Sequence, residues 1–323
     1  MSFITGTNTK CLILEESSFG TVTTDKTGSS LVNITSESLS TAVEKGDEGS
    51  LLGSKTAVSR DLMSITVSGS LSSILRPEFA DALLKLSLGK SATVTDESIP
   101  SGYSRKSYTL ADVGATLPSF STFINRGTGY KVYDGCTFGT LNIEATANDY
   151  VKVSNDITGH KELTTALSTS DTNTLNGKSY SKPSYRCTQA EMKVNGTVFD
   201  VETATVNISN NLVESPKTYQ SGLYAGQPQS GQREVTVSFN IPYSSEVDTF
   251  KNTYLTSEEN ASVVLKFTTS DANEYLEISI PNVAITSVSN NVSGTGLVEA
   301  SCEGTALSVG NVEPISVVVQ SKN

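Results

Sequence analysis

The chain is poor in the residues that carry most protein chemistry. Its 323 residues include one histidine (His160), no tryptophan, four cysteines and nine prolines. A single imidazole rules out any metal site that needs two. Cys11, Cys136, Cys187 and Cys302 are scattered, without the CxxC spacing of a zinc or redox site. Buried free thiols are the simpler reading of these four. No stretch approaches eighteen consecutive apolar residues, so no segment reads as a membrane-spanning helix. The start, Met1-Ser2-Phe3-Ile4-Thr5, has no basic segment followed by an apolar one and reads as lacking a signal peptide. The sequons at Asn33, Asn195, Asn207, Asn260 and Asn291 then read as coincidences, and with no export signal and few aromatics an outer-membrane barrel fits badly.

Positive charge is also scarce. Lys and Arg total 23 against 34 Asp and Glu, a net charge of −11. A pI near 4.7 excludes duplex-DNA binding through a basic face. An enzyme needs positioned acids, bases or nucleophiles. His160 lies at a predicted strand end and reads as structural, and no pair of carboxylates stands out from the many surface acids. The sequence therefore points to no catalytic residue, no cofactor and no metal. A carbohydrate-binding module would display exposed aromatics, and tryptophan is missing.

What the chain does have is serine and threonine, roughly a quarter of all residues and far above ordinary usage, and an internal duplication. Lys10-Cys11-Leu12 precedes Gly20-Thr21-Val22, and Arg186-Cys187-Thr188 precedes Gly196-Thr197-Val198, each glycine nine residues after its cysteine. Val32-Asn33-Ile34-Thr35-Ser36 matches Val206-Asn207-Ile208-Ser209-Asn210, and each is followed by a glycine-containing loop. Each loop ends at an arginine-acid pair, Arg60-Asp61 and Arg233-Glu234. The offsets are 176, 174 and 173, a drift that small loop deletions explain.

Both copies continue alike. Ile65, Val67, Gly69 and Leu71 alternate with Thr66, Ser68 and Ser70; Val235, Val237, Phe239 and Ile241 alternate with Thr236, Ser238 and Asn240. Period two predicts a strand with one buried face. A short helix follows. Leu75, Phe79, Leu83 and Leu86 share one side, with Pro77 in the first turn and Gly89 at the end. In the second copy Ser245 with Asp248 resembles a capping box ahead of Val247, Phe250 and Tyr254. Strands are predicted at Tyr130–Tyr133, Thr137–Glu144 and Tyr150–Val153, and at Ser262–Phe267, Tyr275–Ile280, Val283–Val288, Leu297–Cys302 and Ile315–Val319. Residues 90–120 read as an inserted loop. The chain is thus expected to be mainly β in two tandem domains, 1–160 and 185–323, joined by a Ser/Thr/Asn/Lys-rich linker over 161–184.

This order of elements resembles the tail tube proteins of long-tailed bacteriophages. The match is closest over Thr205–Tyr254, weaker but in register over Ser30–Leu88, and covers most of the chain outside the linker. The resemblance implies β-sandwich or barrel domains, each with one flanking helix and a long hairpin loop. It also implies rings whose inner sheets join into a continuous barrel and stack into a hollow tail tube of the virion, assembled in the host cytoplasm. Two tandem domains imply a ring of three chains with pseudo-sixfold symmetry, in a non-contractile tail. The implied partners are other copies of the chain, a tape-measure protein, a tail terminator and a distal tail protein. DNA would pass through the lumen on ejection without specific binding, and no membrane is involved.

Three sets of residues become candidates on that footing. The long loops Ser36–Ser59 and Ser209–Gln232 would order against the next ring, through Glu44, Asp47, Leu51, Leu52, Tyr219, Leu223 and Tyr224. Arg60, Asp61, Arg233 and Glu234 would pair across subunit or ring contacts. Glu144, Glu202 and Glu299 would face the lumen, where acidic walls repel phosphate over about 8 Å at physiological salt. The charge is evenly spread, −5 up to Gly177 and −6 after it. A different β-rich virion component (terminator, baseplate or decoration protein) and a tandem immunoglobulin-like adhesin are the alternatives.

Overall fold

The computed structural model describes residues 5–47, 60–112, 114–164, 166–257, 259–290, 298–310 and 312–323. The protein is mainly β, and every strand pairing is antiparallel. In the first half the strands are β1 (Lys10–Glu15), β2 (Ser30–Val32), β3 (Ile34–Glu37), β4 (Ser40–Asp47) and β5 (Arg60–Ile74). Helix α1 (Pro77–Leu88) follows, then β6 (Gly89–Val94), β7 (Tyr103–Leu110), β8 (Phe120–Asn125), β9 (Tyr130–Phe138), β10 (Thr140–Thr146), β11 (Lys152–Gly159) and β12 (Lys161–Leu163). After α2 (Thr169–Asn176) the second half contains β13 (Arg186–Val194), β14 (Thr197–Phe199), β15 (Thr203–Ser209), β16 (Leu212–Val213), β17 (Gln229–Ser230) and β18 (Glu234–Pro242). Helix α3 (Ser245–Phe250), β19 (Ala261–Thr268), β20 (Tyr275–Ser289), β21 (Glu299–Ala306) and β22 (Ser316–Lys322) complete it.

The two halves share one connectivity. In the first, β1 pairs β8 and β8 pairs β9, while β5 pairs β11 and β11 pairs β10. In the second, β13 pairs β19 and β19 pairs the start of β20, while β18 pairs β21 and β21 pairs the end of β20. The long β20 therefore does the work of β9 and β10 together, and the two strands expected at Tyr275–Ile280 and Val283–Val288 are one. Strand β12 returns along β9 as β22 returns along β20.

The equivalence is one of topology more than of matched residues. Counting rungs outward from β11 and β21 places Met192 where the first half has Cys11, which faces Val32 and Ile124. Cys187 lies earlier, at the start of β13 ahead of a bulge, with its N–H donated to the Asp149 carbonyl. All four thiols are free; burial pushes Cys136 up to about 12 and Cys302 up to about 11, so both stay protonated and inert.

Local sequence explains the helices. Pro77 stands in the first turn of α1, where its missing N–H costs nothing. Gly89 ends the helix at φ 90°, a left-handed conformation that a Cβ would strain. Phe79, Leu83, Leu84 and Leu86 are buried beneath it. The second helix departs from expectation: Ser244 is the residue that precedes it, no side chain caps it, and after Phe250 the chain widens into a π-helical turn over Lys251–Leu255.

Residues 90–120 also depart from expectation. Most of this insertion is the hairpin β6–β7, and β7 pairs along β22 from Tyr103↔Lys322 to Thr109↔Ser316. Its ladder partner lies some two hundred residues away, beyond the reach of any local signal. In the segment 161–184, β12 pairs β9, and Leu175 of α2 packs with Leu12, Leu14, Phe123 and Val132.

The two halves meet along a seven-rung ladder, β10 against β15, from Thr140↔Ser209 to Thr146↔Thr203. Leu141 and Ile143 on one side and Ala204, Val206 and Ile208 on the other belong to a single apolar core that runs through both halves.

Candidate assembly surfaces

Period-two strands bury one face and expose the other. Here the exposed positions line up across the ladders of both halves. Ser70 faces Asp156, Ser154 faces Asn142, Lys152 faces Glu144, and Glu144 faces Thr205. Thr205 faces Ser238, which faces Glu303; Pro242 faces Glu299. The result is one continuous hydroxyl- and amide-rich face that passes through the junction of the halves. Its charged residues on these strands are Asp156, Glu144, Glu234, Glu299 and Glu303 against Lys152.

Of the three acids singled out in the sequence, Glu144 and Glu299 share this face. Glu202 does not: it sits one residue before β15, with its carbonyl accepting from Ala147 and its N–H donated to Asn240, in the opposite phase of the pleat. Asp156, Glu234 and Glu303 complete the acidic set. The polar phase of β11, β18 and β21 is the signal that finds them.

The loop over residues 210–233 does not project freely. It crosses onto the first half, where the Leu223 carbonyl accepts from the Ile65 N–H at 2.9 Å, beyond the last rung of β11 on β5. The Tyr224 ring lies 5.2 Å from the His160 ring, and Lys161 Nζ stands 5.8 Å from the Tyr224 centroid. His160 is itself held by Asp134, Nδ1 to Oδ1 at 3.1 Å, and backed by Phe19 at 5.3 Å. Gln227 donates to the Leu117 carbonyl at 2.9 Å. Tyr219, in contrast, is fully exposed.

Arg233 is also used inside the chain. Its guanidinium donates to the Leu88 carbonyl at 3.0 Å, at the C-terminal end of α1, where the helix dipole favours a cation. Burial lowers its pKa from the ordinary arginine value, although it remains charged. Next to it, Asn210 is fully buried and donates to the Ser87 and Phe138 carbonyls at 3.1 and 3.0 Å, tying α1 and β9 of the first half to the end of β15. No sequence signal marks Asn210 out; its importance comes from the three segments that converge on it. Glu234 is exposed at the start of β18.

The corresponding hairpin of the first half, β4–β5, is largely exposed along β4. Asp47 faces Arg60 and Gly46 faces Asp61 at its described end, and Glu44 accepts from the Ser64 hydroxyl. Leu51 and Leu52 lie outside the described residues. Among the described residues, no strand pairs with the outer edge of β4 or with the edge of β20 over 284–289 that faces away from β21.

Among the described residues, no cluster of three metal-ligating side chains occurs and no helix is long and apolar enough to cross a membrane. The geometry is that of a β protein whose ladder, among the described residues, has an unpaired strand edge at each end. The family model described as phage tail tube protein matches residues 6–306, and the chain belongs to that family. It is thus a component of the virion tail that self-assembles into a tube. No curated protein matches the sequence.

Proposed function

We propose that three chains close into a ring with pseudo-sixfold symmetry, and that these rings stack into the hollow tail tube through which DNA is ejected. The observation that carries this reading is the β10–β15 ladder. By connectivity, the end of β20 is the second-half counterpart of β10, and β4 is the first-half counterpart of β15. Inside one chain the β10 and β15 edges are paired; among the described residues, no strand pairs with their counterparts at the two ends of the chain. Open edges invite pairing, and an edge of one kind at each end makes the contact heterologous, so repetition either closes a ring or continues as a filament. Pairing β20 of one chain with β4 of the next repeats the internal junction, and six domain-sized steps close a barrel.

The polar face then lines the lumen. Glu144 and Glu299, joined by Asp156, Glu234 and Glu303, keep phosphate off the wall, and the serine, threonine and asparagine side chains offer no firm hold. Residues 1–160 and 185–323 act as the two tube domains, with 161–184 linking them. Arg60 and Asp61, at the exposed end of the first hairpin, and the exposed Tyr219 supply contacts between chains or rings. The tail is of the non-contractile kind, its tape-measure, terminator and distal tail proteins meet the tube inside and at its ends, and assembly occurs in the host cytoplasm.

Negative-stain microscopy with mass measurement of the purified chain tests this reading. Hollow rods that dissociate into three-chain rings are expected. Rings of six chains, or rods without a central channel, would overturn it.

A further inference from the structure

The internal junction also dictates how two copies of the chain would align. Along β10 and β15 the rungs include Thr140↔Ser209, Leu141↔Ile208 and Asn142↔Asn207. Just beyond them the Asn210 N–H donates to the Gly139 carbonyl at 2.9 Å. The ladders carry each of these residues onto a counterpart at one end of the chain. A two-residue spacer separates β5 from α1 and β18 from α3, so Thr66 and Glu234 are equivalent. Ala42 faces Thr66 as Ser209 faces Glu234. Ser40, Thr41, Ala42 and Val43 are therefore the counterparts of Asn207, Ile208, Ser209 and Asn210. On the other strand, Leu71 faces Asn155 as Phe239 faces Cys302, and Asn142 faces Ser154 as Ser289 faces Ser301. Thr286, Ser287, Val288 and Ser289 thus stand for Gly139, Thr140, Leu141 and Asn142. Burial follows the same phase, with Leu141 and Val288 buried and Asn207 and Ser40 exposed.

Two features of β4 bracket the alignment. Successive residues of a strand turn their backbone groups to opposite edges. The Ser38 N–H donates to the Ser70 carbonyl on β5, so Leu39, Thr41 and Val43 present theirs to the outer edge. Leu39 is already taken. Its carbonyl accepts from Arg126 Nη2 at 2.8 Å, its N–H donates to Glu37 Oε2 at 3.2 Å, and Arg126 and Glu37 are ion-paired at 2.7 Å. After Glu44 a bulge shifts the β4–β5 register. Thr41 and Val43 remain between the plugged residue and the bulge.

We infer that β4 of one chain pairs with β20 of its neighbour in the register Ser40↔Ser289, Thr41↔Val288 and Ala42↔Ser287, with the Val43 N–H donating to the Thr286 carbonyl. This rests on the ring reading above and fixes where its strands meet. The occupant is a second copy of this chain, because the chain already contains one instance of the ladder. A two-residue slip in one direction sets Val288 against the occupied Leu39. A slip in the other sets Thr286 against Lys45, beyond the bulge. Val43, 49% exposed in the single chain, enters the seam on the same face as the buried Val288. Ser40 and Ser289 carry the hydroxyl-rich face across it.

Disulfide trapping tests this. In a Cys187→Ser background the three remaining native thiols are buried. Ser40→Cys and Ser289→Cys are introduced together, and the chain is oxidised after assembly and run on denaturing gels without reductant. Facing residues have Cα atoms about 4.5–5.5 Å apart, within disulfide reach, so covalent trimers are expected. Diagonal neighbours lie about 7–8 Å apart, so Ser38→Cys or Ala42→Cys combined with Ser289→Cys should link about tenfold more slowly. Rings or tubes that link faster through Ser38→Cys or Ala42→Cys, or that form no link through any of these pairs, overturn the register and leave the ring standing. A wild-type chain that stays monomeric at every concentration overturns both. As a check independent of thiols, Val43→Asp should weaken association about tenfold or more and Val43→Ile should keep it within about twofold, with the monomer's melting temperature unchanged in each. A Val43→Asp chain that associates as tightly as wild type would also overturn the register.

Discussion

The junction between the two halves and the two ends of the chain are built from equivalent elements, yet among the described residues only the junction pairs its strand edges. At the junction, β10 and β15 share seven rungs, Asn210 bridges three segments, Arg233 caps α1, and Tyr224 sits on His160. At the ends, no strand among the described residues pairs with the edges of β20 and β4, and Leu62, Met63, Val309 and Val312 are half-exposed. The difference teaches that a duplicated fold can carry a template of its own interface. Covalent linkage makes one copy of the contact intramolecular, at high effective concentration, and leaves the other to association.

The two helices offer the largest contrast to test. Leu83 is fully buried in the twelve-residue α1, whereas the six-residue α3 buries only Val247 and Phe250. Leu83→Ala is expected to cost about 2–5 kcal/mol in urea unfolding, and Val247→Ala distinctly less. Equal losses would mean that the two halves depend alike on their helices.

A smaller effect is expected at the junction itself. Asn210→Ala removes two hydrogen bonds and leaves the Ser87 and Phe138 carbonyls buried without them, a loss of about 1–3 kcal/mol. It should also raise amide hydrogen exchange in β15 more than in β21. Arg233→Gln should cost about 1–2 kcal/mol by removing the charge at the end of α1. By contrast Arg60→Gln, on the exposed hairpin, should leave monomer stability within about 0.5 kcal/mol of wild type.

Acid sharpens the comparison least. Burial pushes the Glu162 carboxyl up, but the Thr41 hydroxyl and Lys131 ammonium outweigh it and bring its pKa below the ordinary glutamate value. A carboxyl lowered in the folded state stabilises above its unfolded pKa, and that contribution is lost as pH falls through the folded value. Glu162→Gln should therefore be slightly less stable than wild type at neutral pH and should converge with it in acid. A difference that widens on acidification would show that Glu162 is not a stabilising carboxylate.

Some of this was written in local patterns. Pro77, Gly89 and the Phe79/Leu83/Leu86 stripe mark out α1, because proline, glycine and a 3.6-residue period act within one helix; Leu75, expected on the same stripe, is buried but lies just ahead of the helix. The alternation in β5 and β18 gave the strands and their buried faces for the same reason. The hairpin β6–β7 was not legible, since β7 is held in place by β22 from the far end of the chain. The matching cysteines misled about register: residue type repeats without repeating ladder position. Glu144 and Glu299 were separated from Glu202 only once the pleat was fixed, because a one-residue change of phase moves a carboxylate to the other face.

The sequence by itself determined a mainly β, acidic chain with little catalytic chemistry and two copies of one order of elements, because periodicity, composition and turn chemistry are local properties. Only the tertiary structure decided which strand edges are satisfied and which stay open, where Arg233 and Tyr224 spend their interactions, and which acids share a face. Those outcomes depend on hydrogen bonds between segments far apart in the chain, and no short window of residues specifies a partner at that distance.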